Sequence, residues 1–122
     1  MELNYPKHEK LKSKTTIDAL FSKGKSVSKY PLRLVYVAEP DSETIKFGVS
    51  VSKKYFKKAV DRNYFKRLLR ESYRHNKHLI VNQTDQTYAC MLFYQSKDRL
   101  PYSEIHTKTI QLFEKFLAEV TQ

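Results

Sequence analysis

The residues of this sequence best suited to binding chemistry are the cations between Lys53 and His78. This stretch holds ten of the 23 Lys and Arg residues of the chain and only two acids, Asp61 and Glu71, whereas the formal net charge of the whole chain is +10. A cluster of this kind is an electrostatic footprint for a polyanion, and nucleic acid is the commonest polyanion. The stretch therefore predicts a nucleic-acid-binding segment.

The same stretch has the periodicity of an amphipathic helix from about residue 58 to residue 77. At about 100° per residue, the cationic side chains and the apolar side chains fall on opposite arcs. The first arc contains Arg62, Asn63, Lys66, Arg67, Arg70, Arg74 and Lys77, and the second contains Phe65, Leu68, Leu69 and Ser72. Arginine donates two parallel hydrogen bonds to phosphate oxygens. We therefore predict a helix that packs by one face and presents phosphate-binding groups on the other.

Two other interpretations of this helix are less well supported. A merely solvated face would need acids one turn away, and only Glu71 stands beside Arg67 and Arg74. Binding to a membrane surface would use the apolar face, which the core needs.

Residue types that perform bond-breaking or metal chemistry are not brought together by the sequence. His75 and His78 are three residues apart on the basic helix, but no third ligand is near them, so we predict no metal site. Cys90 stands among apolar residues and is predicted to be an inert core thiol. No nucleophile and base are paired, and the acids are scattered, so no catalytic residue is assigned.

The elements that must position the basic helix follow from periodicity and turn residues. Helices are predicted near residues 15–23, with Thr15 or Thr16 as the cap and Gly24 as the stop, and after a cap at Ser103. Strands are predicted at 32–38, 45–52 and 88–94, with a further short strand near 26–30, a turn at 39–43 and a loop at 96–101. The order α-β-β-α-β-α indicates an α+β fold, a two-layer α/β sandwich.

The composition indicates that these helices and strands form one domain, spanning residues 1–122. The chain is 40% hydrophobic and 30% charged, the balance of a globular protein with its own core. A single cysteine rules out an intrachain disulfide and favours a reducing compartment. Residues 1–14 are polar, and no apolar run approaches the length of a membrane span, so a cytoplasmic location is expected.

Four segments resemble the protein subunit of bacterial ribonuclease P. The strand ending Phe47-Gly48-Val49-Ser50-Val51-Ser52-Lys53-Lys54 is followed by Lys58-Ala59-Val60-Asp61-Arg62-Asn63 and then Lys66-Arg67-Leu68-Leu69-Arg70. The segment Phe21-Ser22-Lys23-Gly24-Lys25-Ser26 also fits, and the order of elements agrees over almost the whole chain.

The resemblance implies a fold and a function. The implied fold is a four-stranded sheet with a left-handed β-α-β crossover, like the second domain of ribosomal protein S5. The implied function is to assist a catalytic RNA subunit, with Mg²⁺ at the RNA active site, in removing the 5′ leader of precursor tRNA and to broaden its substrate range. The protein would bind that RNA and the leader, with no membrane and no obligate protein partner.

The resemblance also assigns roles to individual residues. The positions implied to contact the catalytic RNA are Lys53, Lys54, Lys58, Arg62, Asn63, Lys66, Arg67, Arg70 and Arg74. The positions implied to line the leader cleft, between the first helix and the sheet, are Ile17, Phe21, Lys25 and Tyr36. Without the resemblance, Phe21 and Tyr36 would be assigned to the core.

Two departures from the family pattern affect these assignments. A third basic residue is usual where Tyr64 stands, and a cleft aromatic is often found where Ile17 stands. The alternatives to a ribozyme subunit are a ribosomal or assembly protein that coats RNA without turnover and a stand-alone nuclease.

Overall fold

The predicted order of helices and strands is present in the computed structural model, which describes residues 5–40, 42–81, 83–84 and 86–121. In chain order the elements are a 3-10 turn at Lys7–Glu9, α1 at Lys14–Lys23, β1 at Lys25–Lys29, β2 at Leu32–Ala38, β3 at Lys46–Val51, α2 at Ala59–Asn76, a 3-10 turn at Lys77–Leu79, β4 at Tyr88–Tyr94 and α3 at Tyr102–Val120. The short first strand is confirmed. The predicted turn is closed by the Ser42 amide, which donates to the Glu39 carbonyl at 3.1 Å; its Asp41 lies outside the described residues.

Both predicted helix caps are wrong. The α1 cap is Ser13, whose hydroxyl accepts from the Thr16 amide at 3.4 Å, and Thr15 and Thr16 lie inside the helix. The last helix begins one residue before Ser103, and Pro101 occupies its cap position without a side-chain hydrogen bond. Pro101 suits that position because its ring fixes φ, here −68°, at a value that a chain entering a helix adopts.

Gly24 ends α1 as predicted, but glycine is needed there because a side chain would not fit. Its φ is −66°, which any residue adopts, and its amide donates to the Leu20 carbonyl at 3.1 Å. A Cβ atom on Gly24 would lie 2.3 Å from that carbonyl oxygen and 2.8 Å from Val35 Cγ1. Glycine is therefore required because helix and strand approach closely here.

The sheet has the order β1-β2-β4-β3, so β4 is central, as its apolar character predicts. The β1-β2 and β2-β4 pairs are antiparallel, and the β3-β4 pair is parallel. Because β3 and β4 are parallel neighbours, α2 is the crossover that joins them. The four-stranded α+β architecture is confirmed, and the hand of the crossover stays a prediction.

The two faces of the sheet carry different partners. Successive strand residues alternate between faces. Leu34, Phe47 and Leu92 belong to the main core, on the face that α2 and α3 cover. Val35 and Phe93 lie on the other face, where α1 packs against β2 and β4. Helix α1 therefore stands apart from the basic helix, with the sheet between them.

Helix α2 is joined to the sheet by aromatic rings. Phe65, Leu69 and Ser72 are buried, as predicted. Tyr73 is also fully buried, and its ring stacks on Phe47 with centroids 4.0 Å apart. These contacts fix which side of α2 faces away from the core.

An N-terminal strap, defined here as residues 5–12, covers the outer edge of β3. The Leu11 amide donates to the Phe47 carbonyl at 3.1 Å, and the Tyr5 hydroxyl donates to the same oxygen. The buried Glu9 carboxylate accepts from the Tyr73 hydroxyl at 2.7 Å and lies 3.1 Å from Lys77 Nζ. Burial raises the pKa of Tyr5 to about 12 and that of Tyr73 further, so both phenols stay protonated donors at neutral pH.

Candidate nucleic-acid interface

The side of α2 that faces away from the core, with the loop before it, forms the basic surface. We define this surface by the residues Lys53, Lys54, Lys58, Arg62, Asn63, Lys66, Arg67, Arg70 and Arg74. Within it Asn63, Arg67 and Arg70 are exposed, and Lys66 is half-buried. The structure therefore brings the predicted cations together on one side of α2 and the loop before it. Such a surface can donate hydrogen bonds to several phosphates at once.

The loop that carries the lysine pair is held in a fixed shape. The Lys54 amide donates to the Ser52 hydroxyl at 3.0 Å, and the Tyr55 and Phe56 amides donate to the Ser52 carbonyl. The side chains of Lys53 and Lys54 both stay exposed. The lysine pair thus extends the basic surface beyond the first turn of α2.

Arg62 has a structural contact as well as a place on the surface. Its Nη1 donates to the carbonyl oxygens of Phe56 at 3.0 Å and Lys57 at 2.7 Å. These bonds tie the loop to the first turn of α2, where Lys58 is the cap residue and offers no side-chain hydrogen bond. Arg62 is half-buried and therefore presents only part of its guanidinium to a ligand.

At the C-terminal end of α2, acidic side chains pair with some of the predicted cations. Glu71 is bonded to Arg74 and lies 3.4 Å from His75 Nε2, so of its two predicted partners it takes Arg74. Lys77, which helical geometry places with the exposed cations, is buried against Glu9. The prediction is wrong for Lys77 because the N-terminal strap folds over the end of α2, a contact that the periodicity of one helix does not reveal.

A groove lies at the β3 edge of the sheet, between the α2 side and the face that carries α1. A cavity of about 460 Å³ lies between the strap and the strands. Its lining residues are Tyr5, Lys10, Leu11, Lys12, Gly48, Val49, Arg70 and Met91. A Cβ atom on Gly48 would lie 3.3 Å from two Leu11 side-chain atoms, so glycine here leaves room for the strap. Lys10, Lys12 and Arg70 make the groove positive.

Phe21 continues this groove toward α1. Its side chain is 66% exposed, and its ring meets Phe93 edge-on with centroids 6.2 Å apart. Phe93 pairs with Ser50, and Met91 pairs with Gly48 two residues along, so these pairs follow one another on one face. Ile17 lies one turn before Phe21 and is half-buried. The core assignment for Phe21 is therefore wrong.

Tyr36 and Lys25 are not part of this groove, which corrects their assignment to the leader cleft. Tyr36 is 5% exposed, and its ring packs edge-on against Phe116 of α3 at 4.8 Å. Lys25 pairs with Tyr36, and both border a separate cavity of about 360 Å³ that also includes Glu119. The physical reason is strand alternation, because Tyr36 follows Val35, which faces α1.

Several groove residues could not be singled out from the sequence. Lys10 and Lys12 belong to a polar leader whose position depends on the backbone bridge between Lys10 and Phe47. Phe93 and Met91 stand in a strand that is apolar on both faces, so alternation gives no sign of which ring is accessible. The one usable signal is Gly48, an isolated glycine in a strand, which suggests a close backbone approach.

Side chains able to hold a metal ion are not grouped in the described part of the chain. No set of three or more His, Cys, Asp or Glu residues there is arranged as a metal site. His75 lies beside Glu71 and the rings of Tyr102 and His106, and His78 is exposed. Cys90 is fully buried, and burial raises the pKa of its thiol well above the ordinary value. Among the described residues, no helix combines the length and apolar character needed to cross a membrane.

Comparisons with known protein sequences give matches to one family. The family model described as Ribonuclease P matches residues 5–117. A relative from Porphyromonas gingivalis, named Ribonuclease P protein component, is 44% identical over 99 residues, which are 78% of this chain and 72% of the relative. One from Chlorobium phaeobacteroides with the same name is 38% identical over 85 residues, which are 66% of this chain and 58% of that protein.

Solved structures agree in fold. The RNase P protein of Staphylococcus aureus superposes with a TM-score of 0.74 at 21% identity, covering 93% of this chain and 98% of that one. The protein from Thermotoga maritima gives 0.72 at 21% identity, covering 88% and 96%. The fold, the family-model match over nearly the whole chain and the relatives lead to one conclusion: this chain belongs to the ribonuclease P protein family.

Proposed function

We propose that this chain is the protein subunit of a cytoplasmic ribonuclease P, which binds the catalytic RNA and the 5′ leader of precursor tRNA. The observation that carries the proposal is that the molecule has both a basic surface and a positively charged groove, which meet at Arg70. The basic surface lies on α2 and the loop before it, and the groove begins at the β3 edge and leads toward Phe21 on the α1 face of the sheet. One protein can therefore contact two RNA segments together.

The basic surface suits the folded RNA subunit. Its cations stand at helical spacing on a rigid element, and in folded RNA the phosphates are the accessible groups of paired regions. Asn63 adds an exposed amide among them, which can bond a sugar hydroxyl or a base edge. Binding through such a surface depends strongly on salt, because each phosphate contact releases a counterion.

The groove suits a single strand. Unpaired bases stack on exposed aromatic rings with little sequence preference, and positive groove walls follow the backbone. Phe21 offers such a ring, and Lys10, Lys12 and Arg70 offer the positive wall. Tolerance of sequence is the property that a leader-binding groove needs.

We assign the bond-breaking step to the RNA subunit. The described residues contain no three-ligand metal set, so that part of the chain does not fit Mg²⁺ as a resident ion. Mg²⁺ at an RNA active site would activate water and stabilise the leaving oxygen. The protein's part is to hold the leader and to neutralise phosphates near that site.

Reconstitution tests the proposal. Precursor tRNA is incubated at low Mg²⁺ with the protein alone, with its RNA subunit alone and with both, and 5′-leader release is followed. Cleavage is expected only with both. Cleavage by the protein alone would show a stand-alone nuclease, and RNA binding without any stimulation of cleavage would show an assembly protein.

A variant of the groove tests the leader assignment. Phe21→Ala should weaken precursor tRNA binding to the holoenzyme by about 30-fold, the equivalent of about 2 kcal/mol of stacking, and leave mature tRNA binding unchanged. Ser22→Ala, an exposed neighbour on α1, is the matched control. Equal losses for precursor and mature tRNA would contradict the assignment.

A further inference from the structure

A second element brings a cation to the flank of the basic surface. Arg99 stands in the loop between β4 and α3, and its Nη1 lies 3.1 Å from Asp61 Oδ1 on α2. Its guanidinium carbon lies 5.2 Å from the ring centroid of Phe65, 5.7 Å from that of Tyr64 and 5.9 Å from that of Phe56. Arg99 is therefore held by one ion pair and three aromatic rings.

These contacts alone would describe a brace between the loop and α2, but the cluster is not closed. The Arg99 side chain stays 55% exposed, and Tyr64 is 42% exposed. Val60, one turn before Tyr64 on the same side of the helix, is 70% exposed. In the described part of the chain the exposed large hydrophobic residues are Phe21, Tyr30, Val60 and Tyr64, so two of the four form this one patch.

The neighbours of the patch indicate what covers it. On α2, Tyr64 is flanked by Asn63 and is three residues from Arg67, both exposed members of the basic surface. An apolar partner protein would have to bury the Arg67 cation, whereas RNA would neutralise it. Charge complementarity therefore favours RNA as the occupant.

The chemistry of the patch suits an unpaired nucleobase. Bases displaced from a helix stack on tyrosine rings and on arginine planes, and the adjacent phosphates pair with cations. Tyr64 and Arg99 already form a cation–π pair, so the rigid ring and the guanidinium plane are ordered before RNA arrives. A paired RNA segment would not present a base face at this place.

We propose that Val60, Tyr64 and Arg99 form a nucleobase platform that receives an unpaired base of the RNA subunit at the α3 side of the basic surface. This inference rests on the proposed function, because it assumes that α2 binds that RNA. It also gives a role to Tyr64, the point at which the chain departs from the family pattern. The guanidinium of Arg99 restores a cation close to that position.

Binding of the RNA subunit at several salt concentrations tests the platform. Tyr64→Leu keeps an apolar side chain but removes the ring, and the affinity is expected to fall about 10-fold. The slope of log K against log salt should not change, because stacking releases no counterion. Arg67→Ala should instead reduce that slope by about 0.7–0.9, the value for one phosphate contact.

Matched variants separate stacking from folding. Tyr64→Phe keeps the ring and should bind within about twofold of the natural protein, since stacking rather than the hydroxyl is used. Arg99→Met should lose affinity, whereas Lys97→Ala, which removes an exposed cation from the same loop, should lose less than twofold. Thermal unfolding of each variant is measured in parallel.

The outcomes distinguish the two proposals. Loss of affinity in Arg67→Ala with none in Tyr64→Leu would overturn the platform and leave the proposed function intact. No loss in either variant would overturn RNA binding by α2 itself. A change of oligomeric state in Tyr64→Leu, measured by sedimentation, would show that the patch is a protein interface and would also overturn the platform.

Discussion

Breaking the buried ion pair between Glu9 of the N-terminal strap and Lys77 should cost much stability, and Glu9→Gln tests this. Glu9 and Lys77 are both buried, with Lys77 Nζ 3.1 Å from each carboxylate oxygen and the Tyr73 hydroxyl 2.7 Å from one of them. Glutamine keeps the size and one acceptor oxygen but removes the charge that compensates the lysine. Removing one member of a buried pair costs about 3 kcal/mol.

Urea unfolding measures this cost. With an m-value of about 1.5 kcal/mol/M, a loss of about 3 kcal/mol moves the unfolding midpoint down by about 2 M urea. The double variant Glu9→Gln with Lys77→Met removes both charges and should recover part of the loss, because no uncompensated charge then stays in the apolar region. Glu114→Gln, an exposed acid on α3, is the control and should shift the midpoint little.

The result also bears on the groove. If the strap loosens, Lys10 and Lys12 leave the wall of the groove. Glu9→Gln should therefore weaken binding of precursor tRNA more than binding of the RNA subunit. A midpoint shift below about 0.5 M urea, or a double variant less stable than Glu9→Gln alone, would refute the reasoning, since an uncompensated Lys77 charge would then not be the cost of the substitution.

Three further predictions concern single positions. Gly24→Ala should lower the melting temperature by about 5 °C, because its Cβ would lie 2.3 Å from the Leu20 carbonyl oxygen. Cys90 should not react with Ellman's reagent at pH 8 in the native protein, because it is buried and its pKa is raised, and should react fully in denaturant. Arg62→Ala should lower both the RNA affinity and the free energy of unfolding. The unfolding free energy should fall by about 1–2 kcal/mol, because two hydrogen bonds are lost. Salt-dependent RNA binding and urea unfolding measure the two effects.

Each has a contradicting result. An unchanged melting temperature in Gly24→Ala would show that the end of α1 adjusts at no cost. Rapid labelling of native Cys90 would mean that β4 opens readily. For Arg62→Ala, Arg67→Ala is the control, since Arg67 is exposed and should lower RNA affinity without lowering stability; equal stability in both variants would contradict the structural role of Arg62.

Local signals predicted the elements well, since each depends on residues close in sequence. The strand at Leu32–Ala38 and the central strand at Tyr88–Tyr94 have their predicted bounds, because alternation and apolar runs are local patterns. The basic surface follows from the period of one helix. Its error at Lys77 has a non-local cause, since Glu9 is 68 residues away.

The groove was predicted less completely because it depends on which face of the sheet each strand residue occupies. A strand pattern separates two faces but does not say which helix covers each. Tyr36 and Phe21 therefore could not be assigned to opposite faces until β2 was paired with β4 and Phe21 lay against Phe93. The Arg99 cluster was missed because a loop arginine carries no periodic signal.

The parallel pairing of β3 with β4 links folding speed to RNA binding. Every residue pair in that register is 43 positions apart, and α2 lies wholly within the intervening chain. The chain must lose the entropy of closing this long loop before the strand contacts stabilise it, so this step should slow folding. The repulsion among the cations of α2 opposes the same compaction, and RNA relieves it. Bound RNA should therefore stabilise the native protein by mass action, and newly made chains in excess of their RNA should be the population most exposed to proteolysis.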